Sequence, residues 1–275
     1  MDDETTLPAA IRRHLQRAWE ALDEDDLEVA ERALESARNA APDHPDVLEL
    51  AAEYALADDR LEDALEAYRR WSEVEPDDIE PQLGCAEVHL DLGEPRRAVR
   101  LLEGVLKERE MEPEAEADAR HLLGVAYEER GDFKRMVAEW LAVLRLDTSI
   151  DGEDTLISAD RFQEIADAAF EELPAEVRHH LANVPILMED RPTEDMVRDG
   201  LDPRTLVGLF EGTAMPDQSV LGAQGLTLIQ LFQRNLEREA ADEQDLAEQI
   251  RITVLHETAH YFGADEDDLR RLGLD

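Results

Sequence analysis

The 275-residue chain has one cysteine, two lysines, 5% aromatics and no long apolar run. Each scarcity excludes something. A single cysteine, Cys85, rules out any intramolecular disulfide. With so few aromatic rings, the core must be built mainly of leucine, valine and alanine. No apolar run approaches the roughly 18 to 20 residues that a membrane helix needs. The opening "MDDETTLPAA" has no basic stretch followed by an apolar one, as a secretory signal would. The expectation is a soluble, cytoplasmic protein. Positive charge is also scarce, with 28 Lys+Arg against 69 Asp+Glu, for a net charge of -41. Such a chain repels phosphate backbones and anionic membrane surfaces, so neither nucleic acid nor membrane is an expected partner. Basic peptides and protein surfaces would be attracted. Lys107 and Lys134 are the only lysines. Scarce lysine among many carboxylates fits either adaptation to a salty cytoplasm or ordinary acidity in a high-GC genome.

What is abundant is alanine, leucine, glutamate and arginine, which favour helix. The first half is also periodic. "AAPDHPD" at 40–46 and "VEPDDIE" at 74–80 place Pro42 and Pro76 34 residues apart; Pro113 in "MEPEAEA" comes three residues late, and Asp147 in "RLDTSI" 34 further on. A helical hairpin precedes each of these punctuation points. Its second helix carries residues spaced four and then three apart: Ala30/Leu34/Ala37, Ala64/Tyr68/Trp71, Ala98/Leu102/Val105 and Met136/Trp140/Val143. That spacing puts each set on one helical face. The small residue admits the neighbouring helix, and the bulky one fills the gap beyond. "LGEP" and "RGDF" mark turns at which Gly93 and Gly131 can take left-handed angles. This pattern resembles the tetratricopeptide repeat over residues 11–150, in four units. The first departs most, with Asp25 for the turn glycine and Ala21 for the tyrosine.

A polar stretch, "LDTSIDGEDTLISAD" at 146–160, reads as a linker, with Ser158 or Asp160 able to cap the helix that follows. Beyond it the period changes. "PILMED" (185–190), "TLVGLFEGTA" (205–214) and "LTLIQLFQ" (226–233) are short apolar runs bounded by turn residues, and they read as three strands. "DEQDLAEQIRITVLHETAHYFG" then reads as one helix ending at Gly263, with Leu246, Ile250, Val254, Leu255 and Ala259 spaced for a buried face. The fold class expected is mainly α: a helical solenoid followed by a small α+β domain at 157–275.

That last helix contains "HETAH". Residues four apart on a helix lie about one turn along the axis and only about 40° out of line. His256 and His260 therefore project side by side, able to share one zinc at about 2.0 to 2.1 Å from each nitrogen. Glu257, rotated by about 100°, stands off the ligand ridge. It can reach the attacking water without binding the metal, as a general base must. A catalytic zinc usually has a third protein ligand. The chain after Gly263 offers Asp265, Glu266, Asp267 and Asp268, of which Glu266 lies ten residues after His256. Elsewhere, adjacent His179 and His180 cannot chelate one ion from a helix and read as rim or surface residues. His14, His44, His89 and His121 lie in the repeats and read as packing or exposed residues. Cys85 reads as a small core residue.

Over most of 160–275 the chain resembles the minimal zincin-like metallopeptidases, in "RFQEIADAAFEELPAEVRHHLANVPILMED", "LVGLFEGT", "LTLIQLFQRNL" and "QIRITVLHETAHYFGADEDDL". The family pattern is His-Glu-x-x-His-x-x-Gly-x-x-Asp. The resemblance implies one zinc ion at His256, His260 and Glu266, the last one methylene longer than the usual aspartate. It implies hydrolysis of peptide bonds with Glu257 as the base, and a substrate held as an extra strand on a sheet edge, for which "LTLIQLFQ" is the candidate. The repeats would recruit a peptide or protein substrate, or a protein partner, through their groove. The competing reading is a non-catalytic scaffold whose zincin-like domain holds metal structurally or is inactive. The intact Glu257 favours the first, because a structural site needs no base.

Overall fold

The computed structural model describes residues 7–108, 110–150, 155–182, 184–212 and 227–264. The chain divides into two compact units, Met1–Asp147 and Thr148–Asp275.

The first unit is built of helical hairpins: α1 (Ala9–Asp23) with α2 (Leu27–Ala40), α3 (Pro45–Ala57) with α4 (Leu61–Val74), α5 (Glu80–Asp91) with α6 (Pro95–Glu108), and α7 (Pro113–Glu129) with α8 (Phe133–Ile150). From α1 to α7 each helix packs on the next, and α1 also touches α3 and α5 touches α7. That is the contact pattern of a solenoid. All twelve residues of the small–large–apolar sets are buried, Leu102 and Trp140 to within 1%. Each fully buried leucine contributes about 1.5 to 3 kcal/mol. Helix approach is closest at two glycines. A Cβ on Gly84 would run into the ring of Tyr68, and one on Gly124 into the indole of Trp140. The four hairpin turns each contain a left-handed residue: Asp25 (φ 57°), Asp59 (φ 54°), Gly93 (φ 66°) and Gly131 (φ 67°).

One expected punctuation point fails. Asp147 is buried inside α8, which continues to Ile150. Prolines supply the earlier stops, and "LRLDTSI" contains neither proline nor glycine to break the helix. Of the expected linker, residues 146–150 lie in α8 and residues 159–160 in the next helix, Ala159–Glu172.

The second unit runs α9 (Ala159–Glu172), α10 (Ala175–Leu181), β1 (Ile186–Glu189), α11 (Glu194–Arg198), β2 (Gly208–Glu211), β3 (Leu228–Phe232), α12 (Gln233–Glu239) and α13 (Glu243–Tyr261). Ser158 caps α9, its hydroxyl accepting from Arg161 N at 3.2 Å. Among the described residues the sheet has the order β1-β3-β2, with β1 parallel and β2 antiparallel to β3. The expected edge strand is therefore the central one. All five residues of β3 are buried. An unbroken buried run, with no polar alternation, is the mark of a strand covered on both faces and paired on both sides. α13 packs on β2, β3 and α9. Phe162, Ile229, Leu231, Leu246 and Ile250 form the centre of this core.

Candidate metal centre

The site is built on α13, whose two ends are fixed by local chemistry. At the start, the Asp242 carboxylate accepts from Gln244 N (2.8 Å) and Asp245 N (2.9 Å), satisfying donors that the helix leaves open. Leu246, Ile250 and Val254 are at most 1% exposed and hold one face against the sheet. At the far end Gly263 takes φ 86°, Ala264 N donates to Ala259 O (3.0 Å) and Gly263 N to His260 O (2.9 Å). This is a Schellman cap, which needs a residue tolerant of positive φ.

The cap also does something for the site. It turns the Ala264 carbonyl back onto His260, with Nδ1 at 3.1 Å from that oxygen. A carbonyl only accepts, so Nδ1 carries the proton and Nε2 presents its lone pair. His260 Nε2 lies 3.0 Å from His256 Nε2, with ring centroids 4.8 Å apart and planes at 71°. Two nitrogens bound tetrahedrally to one zinc would stand about 3.3 Å apart. The pair needs to open by only a few tenths of an ångström, and both imidazoles are half-buried. Their donor set fits zinc.

Glu257 is buried at 6% exposure, on the face that meets β2. Its neighbour there is Gly208: an added Cβ would lie 2.6 Å from Thr253 Cγ2, 2.9 Å from Glu257 Oε1 and 3.0 Å from Glu257 Cγ. The β2 backbone thus runs directly against the carboxylate. The loop leading to Gly208 is held by fully buried Asn235 of α12, whose Nδ2 donates to Pro203 O (2.9 Å) and Leu206 O (2.7 Å). Neither Gly208 nor Asn235 figured among the site residues expected from the sequence. The signal for the glycine was present, since a glycine inside an apolar strand run marks a close backbone approach. No local pattern distinguishes Asn235.

His179 and His180 are both exposed. His180 meets Phe262 edge-on at 5.8 Å, and its carbonyl accepts from Tyr261 Oη at 3.4 Å. Tyr261 in turn packs on Phe210 of β2 at 5.9 Å. These contacts tie the end of α13 to α10 and to the sheet. In the repeats, His89 is buried with Nδ1 3.0 Å from Glu94, and burial holds its pKa below the ordinary value despite that carboxylate. Burial pushes the Cys85 thiol up to about 11, so it is an inert core residue. Glu266, Asp265, Asp267 and Asp268 lie outside the described residues. Among the described residues, no group of three or more His, Cys, Asp or Glu side chains is arranged to hold a metal.

Comparison with known proteins agrees with the two-part organisation. Residues 181–274 match the family model described as Zincin-like metallopeptidase. Two tetratricopeptide repeat models match residues 15–77 and 55–117. Among curated proteins no sequence matches the chain. Solved structures that resemble it include MamA 41-end from Desulfovibrio magneticus RS-1, at 16% identity and TM-score 0.45 over 60% of this chain and 85% of that one. A MamA RS-1 ArsTM double mutant matches at 16% identity and TM-score 0.44, over 60% and 84%. The chain joins an N-terminal array of tetratricopeptide-like repeats to a region, residues 181–274, similar to the zincin-like metallopeptidases.

Proposed function

We propose that the protein is a zinc-dependent peptidase whose catalytic domain, residues 157–275, is served by a repeat module at 11–150 that recruits a substrate or partner protein, in the cytoplasm. The observation that carries this reading is the convergence of His256 Nε2 and His260 Nε2 at 3.0 Å, with His260 locked in one tautomer by Ala264 O. His256, His260 and Glu266 are the proposed ligands. Zinc, when bound, supplies Lewis acidity toward water and toward the scissile carbonyl.

The chain's own residues do the rest. Glu257 takes a proton from the attacking water and returns it to the leaving amine. Its burial beside β2 keeps bulk water from competing for that proton. β2 lies at the sheet edge among the described residues and directly against Glu257, so it replaces the central strand as the candidate for pairing with an extended substrate.

The test is zinc content and cleavage of a peptide library, for the wild type, Glu257→Gln and Glu266→Gln. Glu257→Gln should keep about one zinc per chain and lose at least about 100-fold in cleavage rate. Glu266→Gln should bind zinc more weakly. Wild-type protein purified without chelators and holding far less than one zinc would refute the reading. So would cleavage that survives in Glu257→Gln.

A further inference from the structure

We propose that the repeat array contains a docking pocket for a basic segment of a partner protein, one that places an arginine or lysine next to an apolar side chain. This rests on the reading of the repeats as a recruitment module and specifies what they recruit. A cavity of about 670 Å³ lies where the α2–α3 connection meets the end of α4. That volume suits a few side chains. One wall is apolar: Trp71 lines it, and Val74 beside it is 42% exposed, one of the few large apolar side chains among the described residues that face solvent. The remaining rim carries Asp43, Asp46, Glu49 and Glu75.

The charges around this rim are unequal. Asp43 pairs with Arg70, and Glu75 accepts from Trp71 Nε1 at 3.0 Å. Asp46 stands 3.5 Å from His44 Nδ1. Glu49 has no such relief. It is half-buried, and burial first, then the neighbouring carboxylates Asp46, Glu53, Asp78 and Glu80, hold its pKa above the ordinary value. A cation entering here would turn that repulsion into attraction, and the Trp71 ring would add a cation–π contact. A bare metal ion would gain nothing from Trp71 and Val74, and an anionic ligand would be repelled. A guanidinium or ammonium on an apolar stem uses both halves of the pocket.

The experiment measures binding of a fluorescein-labelled peptide of alternating arginine and leucine to the full chain, by anisotropy at about 0.15 M salt, where bare long-range attraction is largely screened. Glu49→Gln and Val74→Ser alter exposed or half-buried positions and should leave the fold intact, as far-UV circular dichroism would verify. Glu49→Gln should weaken binding roughly tenfold, and Val74→Ser several-fold. Glu129→Gln, which removes an equal charge from the exposed end of α7, should change nothing. Equal weakening by Glu49→Gln and Glu129→Gln would show only attraction to a net-negative protein and would overturn the pocket. Tight binding unaffected by Glu49→Gln and Val74→Ser would overturn it while leaving recruitment by the repeats standing. No binding at all would likewise overturn the pocket and leave recruitment of a partner of other chemistry standing. None of these outcomes depends on zinc or on cleavage, so the peptidase reading is tested separately.

Discussion

Gly208 shows how one missing side chain shapes the candidate site. The β2 backbone can approach α13 only because nothing projects from residue 208 toward Thr253 and Glu257. In Gly208→Ala, Thr253 and Glu257 must both shift, and overpacking of this kind costs about 1 to 3 kcal/mol. Hydrogen exchange at the α13 amides should report that loss. Adding Thr253→Ser removes the methyl that clashes most and should restore much of the stability. Under the peptidase reading, cleavage should stay low in the double variant, because Glu257 Oε1 is still displaced. Zinc content should be unchanged in both, since neither substitution touches His256 or His260. Recovery of cleavage together with stability would mean that Gly208 matters for packing alone.

At the scale of elements, the repeat period was legible because it rests on few and local requirements. Proline starts α3 and α7 directly, small residues sit where helices cross, and a residue tolerant of φ > 0 closes each hairpin. Two of those turn residues are aspartates, where the left-handed conformation costs energy that glycine avoids. Asp59→Gly should therefore stabilise the first unit by about 0.5 to 1 kcal/mol, while Gly93→Ala, where an added Cβ meets nothing, should cost about as much through the backbone alone. All three tryptophans, Trp19, Trp71 and Trp140, lie in this unit, so urea unfolding followed by their fluorescence isolates it from the other. A shifted midpoint with an unchanged slope is the expected signature. In the second unit, the three strands and α13 were legible from apolar runs and from the caps at Asp242 and Gly263. The strand order was not, because it depends on non-local pairing that no short window contains. The short helices α11 and α12 escaped as well; α12 follows β3 with no turn residue between them. The approach of Gly208 to Glu257, the partners of Asn235 and the reach of Ala264 O to His260 belong to the same class. They are contacts made by the fold, and the motif supplies only the residues that use them.

The whole molecule is dominated by its charge of -41. In the repeat unit that excess has a local form. Glu49, Glu80 and Glu87 on α3 and α5 all hold their protons above the ordinary value of 4.5, through desolvation first and then through neighbouring carboxylates that include Asp78, Glu53 and Asp118. A carboxyl whose pKa is raised on folding stabilises the folded state fully only below its unfolded pKa, and that contribution is lost as pH rises through the folded value. Ionising these three glutamates therefore costs folding stability as the pH rises. His89 acts in the opposite sense: its pKa is lowered from 6.5 by burial, so it penalises folding as pH falls below that value. In His89→Gln, which lacks the opposing group, thermal unfolding followed by tryptophan fluorescence should move to higher temperature as the pH is lowered from about 7 toward 5, and by more than in the wild type. Salt should act on only part of this. Raising it to about 1 M shortens the screening length to about 3 Å and removes most repulsion among exposed carboxylates, so the unit should also gain stability with salt at pH 7. It cannot return desolvated carboxyls to water. Glu49 is half-buried whereas Glu80 and Glu87 are exposed, so the part of the pH dependence that survives in molar salt should come from Glu49. Complete disappearance of the pH dependence there would mean that repulsion alone sets these protonation states, and a melting temperature indifferent to salt would mean that the excess charge is too dispersed to bear on folding.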